Sequence, residues 1–178
     1  MDLVDRGAQA PTPGRLVVVC GLPGTGKTTL ARALVRARGG AHLRVDAVET
    51  PFTAAGVDVG PLGYAAVRAL AAGNLPLGTD VVVDLVDPLP ETRRLWSSLA
   101  AETGAPLTVL ECVLPDEPEH RRRVQARVPD LPGQTVPSWP EVVGREYVPW
   151  DEVRDGPRTE VDTTDEGRAL RVALEALR

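Results

Sequence analysis

The run Gly21-Leu22-Pro23-Gly24-Thr25-Gly26-Lys27-Thr28 places glycines, a lysine and a hydroxyl in the pattern G-x-x-x-x-G-K-[ST]. That combination suits a polyphosphate. Backbone N–H groups can converge on the anion because Gly21, Gly24 and Gly26 put no side chain in the way, and Thr25 and Thr29 border the same loop. Lys27 has the charge to neutralise β- and γ-phosphates, and Thr28 has a hydroxyl for Mg²⁺. The loop therefore implies ATP and Mg²⁺ as ligands.

Further polar residues could complete a phosphoryl-transfer site. Asp46 follows the short run Leu43-Arg44-Val45. A carboxylate beside lysine and Mg²⁺ stays ionised and can orient a hydroxyl for in-line attack, so Asp46 is a candidate base and acceptor contact. Asp46-Ala47-Val48-Glu49 also has the spacing of a helix-capping box. Asp84 ends Val81-Val82-Val83 and is a candidate Mg²⁺ ligand or acceptor contact; Asp87, a few residues on, competes if the strand runs longer. Arg123 and Arg127 are four apart, which on one helix gives a shared face able to reach the phosphates of ATP. Arg93, on the helix after the third strand, is a candidate for contacting the acceptor or the γ-phosphate, or else a surface charge. His42 and His120 have no partner at metal-ligand spacing and receive no catalytic role. Cys20 and Cys112 sit in or at the end of apolar runs and read as core thiols, while Trp139, Tyr147 and Trp150 read as packing residues of a late, loop-rich segment.

The elements that must position these residues follow from hydrophobic period and stop signals. Leu16–Cys20 is a buried strand, followed by the Gly-rich turn and by Leu30, Ala33, Leu34 and Ala37 at helical spacing. A second strand is expected over Leu43–Val45, ending at Asp46, then an irregular stretch over Ala47–Gly63 and a helix closed by Gly73. Val81–Asp84 is a third strand, Pro88–Thr103 a helix with Gly104 as its stop, and Leu107–Leu114 a fourth strand. Capping spacings open helices at Asp116, Ser138 and the run Thr163-Thr164-Asp165-Glu166, and Arg158–Asp162 is a fifth strand. The arginines fall on the helix that begins after Asp116 and is expected to end at Pro129. Alternating strands and helices imply an α/β fold, a parallel sheet with helices on both faces, whose ligands gather at the carboxyl ends of the strands.

With the loop motif, Asp46, the strand ending in Asp84 and the run Arg121-Arg122-Arg123-Val124-Gln125-Ala126-Arg127, the chain resembles the small P-loop kinases. That group includes gluconate kinases, polynucleotide 5′-kinases, zeta toxins and chloramphenicol phosphotransferase. The resemblance spans about Arg15 to Arg178. It implies a three-layer P-loop fold with a five-stranded sheet in the order 2-3-1-4-5, a small helical lid over about 116–135, Asp46 as base, and Arg123 and Arg127 closing over ATP. It also implies a kinase acting on a hydroxyl of a small or nucleoside-like acceptor, with Ala47–Gly63 the expected seat of acceptor specificity. A polynucleotide 5′-hydroxyl kinase and a nucleotide-gated regulatory ATPase are the alternatives.

Composition narrows these readings. A chain of 178 residues with 43% hydrophobic and 3% aromatic residues is expected to form a single domain, 15–178, whose core is Ala, Val and Leu. The net charge of −5 disfavours nucleic acid as a partner unless a local basic patch exists. Residues 1–14 are polar with Pro11 and Pro13 and read as a flexible tail without a signal-peptide core. No apolar run approaches the ~20 residues that cross a bilayer, so a cytoplasmic, membrane-free protein is expected.

Overall fold

A computed structural model describes residues 11–178, so most of the expected 1–14 tail lies outside the described residues. Gly14 already belongs to the folded body, since its N–H donates to the Leu75 carbonyl at 2.8 Å. Five strands, β1 (Leu16–Cys20), β2 (Ala41–Arg44), β3 (Val81–Asp84), β4 (Leu107–Val113) and β5 (Thr159–Asp162), pair in parallel in the order β2-β3-β1-β4-β5. This is the order that the resemblance implies.

Alternation along β1 explains why its whole run is apolar. Leu16, Val18 and Cys20 enter one core with Val67 and Ala71 of α3 (Leu62–Asn74) and Trp96 and Leu99 of α4 (Pro90–Thr103). Val17 and Val19 enter the other, with Leu30 and Leu34 of α1 (Lys27–Arg38) and Ala169 and Ala173 of α8 (Glu166–Ala176). A central strand of a parallel sheet is buried on both faces, so it has no polar side to show. Cys20 and Cys112 are free and buried, as expected.

The described elements differ from expectation beside the phosphate loop. β2 ends at Arg44, and α2 (Val45–Ala54) begins at once, so Asp46 lies in a helical first turn rather than at a strand end. The capping box Asp46/Glu49 does not form: Arg44 occupies the cap position without a side-chain cap bond. Pro51 sits inside α2, where its missing N–H removes one helical bond; buried Val45 and Thr50 hold the helix across that gap. The stretch Ala47–Gly63 is thus largely helical, and Gly73 lies within α3 instead of closing it. Tertiary packing overrides both breakers.

Farther along, α5 (Glu117–Gln125) ends well before Pro129 and is capped by Asp116, which accepts from Glu119 N–H. Glu119 itself turns to Arg122 and Arg123. The Ser138/Glu141 box is complete at α6 (Trp139–Val143), and α7 (Glu152–Asp155) follows. Asp165 caps α8, which leaves Thr163 for another partner.

Candidate active site

The loop between β1 and α1 is held from several sides. Gly21 has φ +133° and a Cβ there would stand 2.4 Å from the Cys112 carbonyl oxygen; Gly24 has φ +86°, and its Cβ would meet Val124 Cγ2 at 2.5 Å. The first glycine is needed by strand β4 and the second by α5 lying over the loop. His120 of α5 donates from Nε2 to the Pro23 carbonyl at 2.8 Å, and its ring meets Trp139 edge-on. Thr163, just after β5, donates from Oγ1 to the Thr25 carbonyl at 2.7 Å. The loop carbonyls are thereby turned to the protein, which leaves its N–H groups for an anion. Lys27 Nζ donates to the Leu22 carbonyl at 2.8 Å and so spans the loop; burial pulls its pKa down, opposed by nearby Asp84.

A cavity of about 950 Å³ opens from this loop, lined by Gly24, Gly26, Lys27, Thr28 and Thr29 together with Asp46, Asp84, Arg123 and Arg127. These side chains come from the carboxyl end of the sheet, where parallel α/β folds place ligands. Asp84 is 2% exposed and lies 3.3 Å from His42 Nε2. Burial pushes its carboxyl up, but His42, Lys27 and Thr28 together outweigh burial and hold it below the usual carboxylate range. Asp84 therefore stays ionised beside the loop. Asp87 is elsewhere: it is 1% exposed, at φ 57°, in the core against Trp96, and does not line the cavity. Of the two competing acids, only Asp84 faces the phosphate loop.

Asp46 Oδ2 accepts from Arg44 at 2.9 Å and from Gln134 Nε2 at 3.1 Å, with Arg127 at 3.7 Å. Arg123 donates to the Thr163 carbonyl at 3.0 Å and to Glu119. Arg127 lies past the end of α5, so the two arginines do not share a helix face. They still line one cavity, Arg123 on the Thr163 side and Arg127 on the Asp46 side. Arg93 does not belong to the cavity. It is 3% exposed, pairs with Asp155 at 2.7 Å, donates to the Val148 carbonyl at 2.6 Å and stacks on Trp150 at 4.6 Å. Its donors are committed to the domain, so it offers nothing to an acceptor. Tyr147 bonds Glu111 and Trp150 bonds Gly156, both as packing groups.

Sequence spacing did not single out Arg44, Asp130, Gln134, His42, His120 or Thr163 for the site. Arg44 carries the one usable signal, a charge at the end of a strand-like run. Asp130 reaches it, and His120 reaches Pro23, only through long-range folding.

The AAA domain family model matches residues 16–138, from β1 to the edge of α6 and across the whole loop between β1 and α1. This chain belongs to the AAA domain family. Its fold is shared with Mycobacterium tuberculosis APS kinase CysC, solved with AMPPNP and APS, at TM-score 0.65 and 19% identity over 94% of this chain and 99% of that one. A gluconokinase from Sinorhizobium meliloti 1021 superposes at TM-score 0.62 and 22% identity, covering 93% of this chain and 92% of its own. Chaetomium thermophilum Kti12, in complex with ADP-AlF3, gives 0.65 and 22% over 92% and 99%. No curated protein matches the sequence. The small P-loop kinase resemblance is thus met by the family and by the fold of its neighbours.

Among the described residues no helix is long and apolar enough to cross a membrane. No group of three or more His, Cys, Asp and Glu stands ready to hold a metal ion among them either. Thr28 and Asp84 are hard oxygen donors at the loop, a set that would fit Mg²⁺ arriving with a nucleotide.

Proposed function

We propose that this protein is an ATP-dependent phosphotransferase acting on a hydroxyl of a small molecule. The observation that carries the reading is a single cavity bounded by the phosphate loop on one side and by the Asp46 carboxylate on the other, with Arg123 and Arg127 at its rim. Loop N–H groups and Lys27 would hold the β- and γ-phosphates, and Thr28 and Asp84 would hold Mg²⁺, which spreads the phosphate charge. Asp46 would orient the acceptor hydroxyl in line. The acceptor oxygen forms a bond to the γ-phosphorus as the bond to the ADP oxygen breaks, and the hydroxyl proton passes to Asp46. The guanidinium groups of Arg123 and Arg127 suit charge that spreads over the transferring oxygens. Glu49, Thr50 and Thr53 of α2 and Tyr64 of α3 line the cavity beyond Asp46 and would set acceptor shape. The chain's −5 charge favours a small acceptor over a nucleic-acid end.

The test is ATP consumption with Mg²⁺ against a panel of small hydroxyl compounds, nucleosides and 5′-hydroxyl oligonucleotides. An acceptor should raise turnover in the parent, Asp46→Asn should remove that rise while ATP still binds, and Lys27→Ala should weaken ATP binding. Turnover with an acceptor that survives Asp46→Asn would remove Asp46 from the role of base.

A further inference from the structure

We propose that Arg44, with Arg32, is a seat for an anionic group of the acceptor, an oxyanion such as phosphate, sulfate or carboxylate a few bonds from the reacting hydroxyl, and that Asp130 is the chain's own stand-in for that group. The inference rests on the reading of Asp46 as the acceptor-side carboxylate.

Arg44 is 5% exposed yet lines the cavity. Its guanidinium spans two carboxylates at once: one nitrogen donates to Asp46 Oδ2 at 2.9 Å, the other to both oxygens of Asp130 at 3.0 and 2.8 Å. Its Nε is a buried donor without a hydrogen-bond partner, with Asp84 Oδ2 at 3.9 Å. Arg32 of α1 adds a second donor to Asp130 Oδ2 at 2.8 Å. Asp130 comes from neither a helix nor a strand, and 37% of its side chain is exposed, so an irregular segment inserts an anion between an arginine of β2 and one of α1.

The same segment covers Asp46. Gln134 donates from Nε2 to Asp46 Oδ2 at 3.1 Å, as an acceptor hydroxyl would, and its Oε1 accepts from Asp130 N–H at 3.3 Å. A donor on Asp46 and a carboxylate on Arg44, brought together by the Arg44–Asp46 pair, reproduce the outline of a hydroxylated anion. Asp46 holds one Arg44 nitrogen, so the nitrogen now on Asp130 is the one open to exchange for an acceptor anion, with Arg32 beside it. The lining agrees: six cationic and five anionic side chains face the cavity, although the whole chain carries −5.

An intramolecular occupant lowers the apparent affinity for the real one by the fraction of time the seat is open, so removing Asp130's charge should expose the site. The full chain is titrated by calorimetry with Mg²⁺ and AMPPNP to saturation, which fills the phosphate loop, and then with sodium sulfate or, separately, sodium acetate. Asp130→Asn should bind one of these anions about tenfold more tightly than the parent, and adding Arg44→Met or Arg32→Met should abolish the gain. Tighter sulfate identifies a tetrahedral oxyanion and tighter acetate a carboxylate. Equal anion affinity in the parent and Asp130→Asn, or a gain that survives loss of both arginines, overturns the proposal. Arg32 is half-exposed, so its variant keeps the comparison informative if Arg44→Met does not fold. The AMPPNP step is scored by itself: absence of nucleotide binding sinks the kinase reading, whereas failure of the anion step leaves it standing.

Discussion

At the scale of single residues, Asp87 and Gly24 show how little space the site leaves. Both Asp87 carboxylate oxygens are buried without a hydrogen-bond partner, because the nearby Thr92 hydroxyl donates to the Leu89 carbonyl at 2.8 Å instead. Burial pushes the Asp87 carboxyl up to about 7, despite partial relief from the nearby Arg93 charge. Its folded pKa lies above the unfolded value, so the folded state holds this proton longer. Stability is therefore fullest below about pH 4 and falls as pH rises toward 7, by roughly 2–4 kcal/mol from this group alone. Asp87→Asn should raise the melting temperature at pH 8 and have little effect at pH 4; equal effects at both would rule out the buried-carboxyl account. Gly24→Ala should cost about 1–3 kcal/mol and weaken ATP binding, since the left-handed backbone and Val124 both oppose a methyl group. Urea midpoints and nucleotide titration check both parts.

At the scale of elements, the phosphate loop depends on two segments remote in sequence, α5 through His120 and the β5–α8 turn through Thr163. Thr163→Val keeps the shape but leaves the buried Thr25 carbonyl without its donor. It should lose about 1–3 kcal/mol of stability and loosen ATP binding, with the KM for the acceptor little changed. Arg93 ties α4 to α7 through Asp155 and to the segment before α7 through Val148 and Trp150. Breaking a buried pair typically costs ~3–5 kcal/mol, but Asp155 keeps Arg154 and the Asp151 N–H, so Arg93→Met should cost about 2–3. A chemical denaturation curve reads that loss, and an acceptor KM that rises with no stability change would return Arg93 to the site.

At the scale of the whole molecule, the two cores on either face of the sheet fix its carboxyl edge, and with it the loop, Asp84 and the start of α2. A ligand that binds only this assembled edge stabilises the entire fold. Mg²⁺ and ATP at a hundred times the dissociation constant should add about 2.7 kcal/mol, a rise of roughly 5–10 °C in melting temperature for a domain of this size. Lys27→Ala should lose most of that rise at the same ligand concentration, which differential scanning fluorimetry reads directly.

The strands, their parallel pairing and the loop motif were legible in the sequence because they rest on local signals: an apolar run buried on two faces, glycines where side chains cannot fit, a lysine and hydroxyl at fixed offsets. The length of α2 was not, since Pro51 looks like a breaker until packing of Val45 and Thr50 is known. Nor was Arg93, whose charge gives no local sign that it would be buried against Asp155 and Trp150. Tertiary structure alone brought Asp130 and Gln134 onto Arg44 and Asp46, across separations of 86 and 88 residues. Hydrogen bonds between such distant groups leave no periodicity to read, because their partners are chosen by how helices and loops pack around the end of the sheet.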